Sequence, residues 1–192
     1  AVWAFCGWER RDGDSHSDVL LRALVIGRLG HYRDEQVVAE AGARFEAFSK
    51  GAPLEPDLRS AVFSIAAEHG DARTWKRVLA LYKNTDHQEE KVRLLRSMTR
   101  FRDAKVVDEI LKFSLSGQVR PQDAYVILAG FGSNARMRER NWAFIKSSWK
   151  KLTTMYKSGS AGLLGHILEG STAGFSETAD LRDVRIFFAK HP

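Results

Sequence analysis

The sequence contains almost no cysteine, little proline and no hydrophobic run long enough to cross a membrane. Cys6 is the only cysteine, which excludes an internal disulfide bond and a zinc site built from several cysteines, and which favours a reducing compartment. Only four prolines occur among 192 residues, so long helices are permitted. The most apolar stretch, Val19–Ile26, is interrupted by Arg22, and we therefore expect no membrane-spanning segment.

The sequence also lacks the common catalytic motifs. It contains no His-Glu-x-x-His, no Gly-x-Ser-x-Gly and no Gly-x-x-x-x-Gly-Lys. The segment DHQEEK, Asp86–Lys91, comes within one residue of the inverted zinc motif His-x-x-Glu-His, but Lys91 stands where the second histidine would be required. We interpret the segment as a helix start, with Asp86 as the N-cap residue and Glu89 completing a capping box. We therefore predict no catalytic residue, no metal ligand and no cofactor within this chain.

Three further polar segments have structural explanations that we prefer to chemical ones. EHGD, Glu68–Asp71, is interpreted as the end of one helix, a glycine stop and the N-cap of the next helix. His166 lies among apolar residues in LLGHILEG and is expected to be packed rather than to bind a ligand. GFGSNAR, Gly130–Arg136, lacks the lysine and the preceding strand of a phosphate-binding loop, so we predict a turn.

Apolar residues recur with helical spacing almost from end to end, and no segment alternates with the period of two expected of a strand. Ser17 is placed to cap the first helix, and Gly30 to end it in a left-handed conformation. A helix is predicted from Pro121 to Gly130. A longer helix is predicted from about Arg138 to Lys157, and its buried face carries Trp142, Ile145, Trp149, Leu152 and Tyr156. Further side chains predicted to be buried in other helices are Val38, Ala41, Phe45, Phe48, Val62, Ile65, Trp75, Val78, Leu181, Val184 and Phe188.

These helices predict an all-α protein. About ten helices, joined by short polar turns, form pairs at intervals of roughly 30 to 40 residues, which is the spacing of HEAT-like and armadillo-like solenoids. Short links make each helix pack antiparallel to the next, and stacked pairs then form an α-α superhelix with a concave face. We divide the chain into a lead-in segment over 1–16 and a single α-solenoid domain over 17–192. Within that domain, the loops Ala52–Pro56 and Ser158–Gly162 are predicted to be connectors.

Several stretches occur in a characteristic order: LLRALVIGRLG, DLRSAVF followed by HGD, HQEEK, VRPQDAY, NWAFIKSSWKKL and GFSETADLRDVRIFFAKHP. Together with FCGW at Phe5–Trp8, they resemble the C-terminal helical domain of zinc aminopeptidases of the puromycin-sensitive and endoplasmic-reticulum type. The set covers nearly the whole chain. In that family such domains usually continue for further helices beyond FFAKHP.

The resemblance implies a HEAT-like domain that covers an active site and encloses a chamber for peptides. The catalytic zinc, bound by His-Glu-x-x-His, and the Gly-Ala-Met-Glu-Asn motif that grips the substrate amino terminus belong to an earlier domain of that family. Neither motif is present in this chain. The expected partners are therefore peptide substrates and the catalytic domain of the parent enzyme, with zinc as the cofactor of that catalytic domain and no membrane contact.

Three arginines form the candidate peptide-binding face. At about 100° per residue, Arg93, Arg96 and Arg100 fall on one side of the helix predicted from Asp86 to Arg100. The stripe is either a solvated basic face or a source of positive potential for the carboxyl terminus of a peptide. The planar guanidinium fork of an arginine can pair with both oxygens of such a carboxylate. The resembled endoplasmic-reticulum enzymes have an arginine implicated in holding that terminus at the position of Arg100. The opposite, apolar side of the helix carries Leu94, Leu95, Met98 and Phe101.

Two other functional classes remain open. A stand-alone α-solenoid adaptor would hold a protein partner on its concave face. The formal net charge of +6 also permits nucleic-acid binding, but a base-reading helical repeat would show the same polar positions in every repeat, and none is found. The absence of an Asn-x-Ser/Thr sequon favours a cytoplasmic location, and the first residues lack the order of a signal peptide.

Overall fold

A computed structural model gives the fold of residues 7–157 and 161–191. These residues form α-helices and one short 3-10 turn, and no strand is found among them, so the predicted all-α class is confirmed. Phe5, Cys6 and most of the connector predicted at Ser158–Gly162 lie outside the described residues. The helices are α1 (His16–His31), α2 (Glu35–Ser49), α3 (Pro56–Glu68), α4 (Ala72–Asn84), α5 (Gln88–Met98), α6 (Ala104–Ser114), α7 (Pro121–Gly130), α8 (Arg138–Ser147), α9 (Trp149–Met155), α10 (Ala161–Thr172) and α11 (Thr178–Lys190).

The chain divides into two compact units, Ala1–Val106 and Val107–Pro192. In the first unit, α1 packs on α3 and α3 packs on α5, while α2 packs on α4 in a second layer. Consecutive helices also contact each other across the two layers, as they do in stacked helix pairs. In the second unit, α7 packs on α10, and the 3-10 turn Phe131–Ser133 contacts α7, α8 and α10. The single continuous domain over 17–192 stays a prediction.

Helix α1 begins and ends differently from its sequence prediction. Ser15, rather than Ser17, is the N-cap: its hydroxyl accepts from the N–H of Asp18, and the Asp18 carboxylate accepts from the N–H of Ser15. Gly30 lies inside the helix and is not among the residues with positive φ. A Cβ at Gly30 would lie only 2.5 Å from Cδ1 of Ile65 on α3. Glycine is therefore required at this position by the close approach of two helices, not by a left-handed cap.

Arg22 interrupts the apolar run of α1 because it has a buried partner. Its side chain is 3% exposed and forms an ion pair with Asp14, which is 6% exposed. The N–H of Arg11 donates to the same carboxylate at 2.9 Å. The backbone hydrogen bond from Arg11, followed by the hydrogen bond from Arg22, holds the pKa of Asp14 below its ordinary value. The ion pair thus ties the segment before α1 to the helix.

The N-cap predicted for α4 is confirmed. Oδ1 of Asp71 accepts hydrogen bonds from the N–H groups of Arg73, at 2.9 Å, and Thr74, at 3.0 Å. These bonds, that of Thr74 foremost, hold the pKa of the Asp71 carboxyl below its ordinary value. Helix α3 ends at Glu68, just before this cap, so the interpretation of EHGD is correct.

The N-cap predicted for α5 is wrong. The helix begins at Gln88, and its N-cap position is His87, where no side chain of the described residues makes a capping hydrogen bond. His87 has an extended conformation, and its N–H donates to the hydroxyl of Thr85 instead. Asp86 and Glu89 therefore form no capping box. Glu89 does lie in the first turn, where a negative charge complements the helix dipole.

We expect Asp71→Ala to lower the free energy of unfolding by about 1 kcal/mol at neutral pH. Because the folded pKa is lowered, this stabilisation is present above the pKa of the unfolded carboxyl and is lost as the pH falls through the folded pKa. Urea titrations at neutral and acidic pH should therefore show a difference that shrinks in acid. Asp86→Ala is the matched control and should leave the midpoint unchanged; equal losses from both variants would make Asp86 a cap after all.

The segment predicted as one helix over Arg138–Lys157 forms two helices. Helix α8 ends at Ser147, α9 begins at Trp149, and Ser148 lies between them. Trp142, on α8, is buried as predicted, whereas Trp149, on α9, is only partly buried. Trp149 is the first residue of α9, and its ring contacts Phe187 although it is only partly covered. Of the other side chains predicted on the buried face of this segment, Ile145, Leu152 and Tyr156 are buried.

Two side chains predicted to be buried elsewhere are exposed, and four others are only partly buried: Val38, Phe48, Val184 and Phe188. The side chain of His166, on α10, is 66% exposed and lies 3.7 Å from the carboxylate of Glu169, so it is a surface residue and not a packed histidine. Leu181, on α11, is 52% exposed. In α2 the fully buried valine is Val37, whereas its neighbour Val38 is only partly covered. In each case the helix was predicted correctly, but the face of that helix that is covered depends on the neighbouring helices.

An aromatic cluster surrounds Trp142 in the second unit. The Trp142 ring contacts Phe187 edge-on at 5.4 Å between centroids and also approaches Phe175 and Phe188. Its indole N–H donates to Oδ2 of Asp183 at 2.7 Å. The cluster holds α8 and α11 together, because the Trp142 ring packs on Phe187 and Phe188 of α11 and its N–H donates to Asp183 of the same helix.

The second unit also depends on a contact between glycines. A Cβ added to Gly132, in the 3-10 turn, would overlap the carbonyl oxygen of Gly170 on α10 and lie 2.8 Å from its carbonyl carbon. A Cβ added to Gly170 would in turn lie 2.5 Å from Cβ of Ala129, on α7. The turn predicted from GFGSNAR therefore exists, and its glycine allows two backbones to touch.

Candidate functional site

The basic face predicted on α5 is present. Leu94, Leu95, Met98 and, just beyond the helix, Phe101 are buried, as predicted. Arg96 and Arg100 are exposed, and the guanidinium group of neither forms a hydrogen bond or an ion pair with the residues that the structure describes.

Arg93 differs from the other two arginines because its charge is compensated. Its guanidinium pairs with Glu89 at 3.1 Å and with Glu90 at a shorter distance, and its Nε donates to the hydroxyl of Ser60 at 3.1 Å. Its side chain is only 18% exposed. Arg93 therefore links α5 to α3 and carries little free positive potential.

Arg100 borders an open groove between α1 and α3, which we call the α1–α3 groove. Its volume is about 460 Å³. Small residues form much of its lining, so the two helices leave room for a chain or side chain between them. Arg28 and His31, near the carboxyl end of α1, lie on the same groove. The remaining lining residues are Ala23, Leu24, Gly27, Ser60, Ala61, Ser64, Ile65 and Glu68.

The only carboxylate among these lining residues is already neutralised. Glu68 is 7% exposed and forms an ion pair with Arg102, and Nδ1 of His31 lies 3.2 Å from the same oxygen. Arg28 is exposed, and its guanidinium group, like that of Arg100, has no hydrogen bond or ion pair within the described part of the chain. The groove therefore keeps two uncompensated guanidinium groups.

An apolar rim adjoins this positive charge. Leu24, on the groove, is 57% exposed, and Leu20 on the same helix is 54% exposed. Exposed leucines placed next to one another on a helix are typical of an interaction surface. The groove thus combines apolar surface with positive charge, a combination that complements an apolar peptide ending in a carboxylate.

A second open groove, the helix-end groove, lies at the carboxyl ends of α2 and α4 and the amino ends of α3 and α5. Its volume is about 450 Å³. Part of the DHQEEK segment lines it, together with Arg93. The lining residues are Phe48, Pro56, Arg59, Leu81, Thr85, His87, Gln88, Glu89, Glu90, Arg93 and Leu94. The structure therefore separates the three candidate arginines, because Arg93 faces the helix-end groove, Arg100 faces the α1–α3 groove, and Arg96 lines neither.

Two other kinds of feature are absent from the part of the chain that the structure describes. Over residues 7–157 and 161–191, no cluster of three or more histidine, cysteine, aspartate or glutamate side chains is arranged to hold a metal ion. In the same part of the chain, no helix has both the length and the apolar character needed to cross a bilayer.

Two residues that border these grooves were missed by the sequence analysis. Arg28 lies on α1 and Arg59 on α3, far along the chain from the arginine stripe on α5. No periodicity within α5 could point to them. The Arg93 ion pairs, in contrast, have a local signal, since Glu89 and Glu90 precede Arg93 by four and three residues.

Comparison with known proteins identifies the family. The sequence model of the ERAP1-like C-terminal domain matches residues 1–192, so the chain belongs to this family of helical domains. The resemblance drawn from the ordered motifs is thereby confirmed.

Its relatives are aminopeptidases. Aminopeptidase M1 of Arabidopsis thaliana is 31% identical over 189 residues, which cover 95% of this chain and 21% of the relative. Aminopeptidase 2 of Candida albicans is 29% identical over 188 residues, covering 96% and 20%. The mitochondrial aminopeptidase 2 of Saccharomyces cerevisiae is 27% identical over 185 residues, covering 95% and 19%. The chain thus spans about a fifth of the length of these relatives.

Proposed function

We propose that this chain is the non-catalytic C-terminal domain of a zinc-dependent aminopeptidase, where it covers the active site and forms part of a peptide chamber. The family match over the whole chain carries the proposal. In this proposal the zinc and the catalytic residues belong to the catalytic domain of the parent enzyme. The partners of the chain are that domain and the peptide substrates.

The α1–α3 groove is the part of the domain that we assign to the peptide. The carboxyl terminus of the peptide pairs with Arg100, assisted by Arg28, and an apolar side chain of the peptide packs on Leu24. The planar guanidinium fork matches both oxygens of a carboxylate. A contact of this kind contributes about 1.5–3 kcal/mol, which corresponds to roughly ten- to a hundredfold in affinity.

The test compares Arg100→Ala with the parent in the full-length enzyme, on one peptide with a free and with an amidated carboxyl terminus. We expect kcat/KM for the free-acid peptide to fall by roughly ten- to a hundredfold, because the lost contact exists only with a carboxylate. The amidated peptide should be unaffected, so the difference between the two peptides disappears.

Arg73→Ala is the matched control, since Arg73 is an exposed arginine of α4 that lines neither groove. This variant should treat both peptides as the parent does. Equal effects of Arg100→Ala on both peptides, or no effect on either, would make Arg100 a solvated surface residue.

A stand-alone adaptor is the second candidate, and the exposed leucines of α1 favour it. Sequencing the complete gene distinguishes the two. A His-Glu-x-x-His segment upstream supports the aminopeptidase, and its absence supports the adaptor. In either protein the helix pairs of the first unit provide the binding surface.

A further inference from the structure

The helix-end groove has the dimensions of a small-molecule site. Its volume of about 450 Å³ lies within the range of roughly 300–1,000 Å³ that such sites occupy. Its lining combines four apolar side chains with five charged or titratable ones and two neutral polar ones; the apolar residues are Phe48, Pro56, Leu81 and Leu94. Such a lining suits a small ligand that has both a charged and an apolar part.

One acceptor in this groove is buried without a partner. The side chain of Glu90 is 12% exposed, and its Oε2 pairs with Arg93 and lies 3.6 Å from Nη1 of Arg59. Its other oxygen, Oε1, is buried and has no hydrogen-bond partner among the described residues. A buried acceptor left unpaired is costly, and native structures contain few of them. Rotation of the carboxylate towards the groove, about a soft terminal torsion, would let a ligand N–H group donate to Oε1 and remove this cost.

The charged side chains that line the groove balance one another. Arg93 pairs with Glu89 and Glu90, and Arg59 lies 3.6 Å from the carboxylate of Glu90. Both guanidinium groups are largely covered, at 28% exposed for Arg59 and 18% for Arg93. A ligand that brings one ammonium group and one carboxylate keeps this balance.

Arg59 is positioned to receive that carboxylate. Its Nε donates to the carbonyl oxygen of Leu54 at 3.2 Å, and its guanidinium lies over the ring of Phe48 at 5.1 Å from the centroid. These contacts hold the fork in place and use only part of its five N–H donors. The remaining donors are available to an anion in the groove.

We infer that the helix-end groove binds a free α-amino acid with an apolar side chain. The ammonium group donates to Oε1 of Glu90, the carboxylate accepts from Arg59, and the side chain packs on Phe48, Leu81 and Leu94. This site lies at the helix ends, whereas the peptide contact proposed above lies in the α1–α3 groove, so the inference does not depend on the proposed function.

Isothermal titration calorimetry of the 192-residue chain tests the inference with three probes. L-Leucine carries both charges, leucinamide keeps the ammonium group alone, and N-acetyl-L-leucine keeps the carboxylate alone. We expect saturable binding of L-leucine and at least about tenfold weaker binding of either analogue, because each loses one charge-assisted hydrogen bond. Failure of millimolar L-leucine to bind would overturn the inference. If leucinamide binds as tightly as L-leucine, the inference is overturned and the groove binds the amino terminus of a peptide instead. If all three probes bind equally tightly, it is overturned because the contact is apolar and unspecific.

Two isosteric variants locate the ligand. Glu90→Gln removes the negative charge that receives the ammonium group and should weaken L-leucine binding at least about tenfold. Glu35→Gln changes an exposed carboxylate of α2 that lines neither groove, and it should bind as the parent does. Unchanged binding by a folded Glu90→Gln variant would refute the assignment to this groove. If circular dichroism finds that variant unfolded, the three-probe comparison on the parent chain decides the inference.

Discussion

Gly132→Ala is expected to lower the free energy of unfolding by about 3 kcal/mol, at the upper end of the range for overpacking. The new methyl group would overlap the carbonyl oxygen of Gly170, and its other close neighbours are also backbone atoms of α10. Backbone atoms cannot rotate away as a flexible side chain can, so the turn and α10 must separate. For a chain of this size the loss corresponds to a fall of roughly 6–12 °C in the melting temperature, measured by circular dichroism.

Gly165→Ala is the matched control for this prediction. Gly165 lies on α10, the helix that Gly132 contacts, but an added Cβ would meet no atom within 4 Å. Alanine is favoured over glycine in a helix interior by about 0.8–1.0 kcal/mol, so this variant should be as stable as the parent or more stable. Similar losses from both variants would contradict the prediction, because Gly165→Ala has no close contact to break.

Trp142→Ala is expected to cost about 3–5 kcal/mol, the usual range for removing a large buried aromatic side chain. Trp142 is 3% exposed and lies at the centre of the cluster formed with Phe175, Phe187 and Phe188. The substitution leaves a cavity between α8 and α11 and removes the indole donor of Asp183. Chemical denaturation monitored by circular dichroism measures the change in unfolding free energy.

Two comparisons make the Trp142 prediction specific. Trp142→Phe should cost less, because it keeps a ring in the cluster, and because Asp183 retains the ammonium group of Lys146 at 2.6 Å. Trp149→Ala should also cost less, since Trp149 is only partly buried, although it contacts Phe187. A Trp142→Ala protein that melts within 2 °C or so of the parent would contradict the cluster's role, given roughly 2–4 °C per kcal/mol.

Signals that act within one helical turn predicted the structure best. The helix predicted from Pro121 to Gly130 is α7 with the same ends, because proline favours the first turn of a helix. Asp71 was predicted as a cap because a side-chain oxygen need only reach the next few N–H groups. The same local rule failed at Asp86, where Thr85 and His87 also offer a plausible start and the helix begins later.

Features that depend on neighbouring helices were not predictable from the chain alone. Gly30 has the sequence pattern of a helix end, but its role depends on Ile65, which approaches from α3. The break at Ser148 has no local signal, since neither proline nor glycine stands there. His166 lies among apolar residues, yet its side of α10 is exposed. In each case the deciding contact joins residues that are distant in sequence.

The candidate site was predictable to the extent that it lies on one helix. The spacing of the apolar residues on α5 placed Arg93, Arg96 and Arg100 correctly on the opposite face. It could not assign Arg93 and Arg100 to different grooves, because Arg28 and Arg59 come from other helices. A groove is a property of several helices, whereas periodicity describes only one.

The position of α3 determines how the first unit can open. This helix contacts α1, α2, α4 and α5, so it touches helices of both layers. In a stacked array each repeat contacts only its neighbouring repeats, and unfolding can proceed stepwise from an end. Helix α1, the first helix of the unit, can detach by fraying, whereas release of α3, in the middle, removes a contact from every other complete helix in the unit. The first unit should therefore behave as one cooperative foldon with α3 as its last element to open, and both grooves, which α3 lines, persist for as long as that foldon is closed.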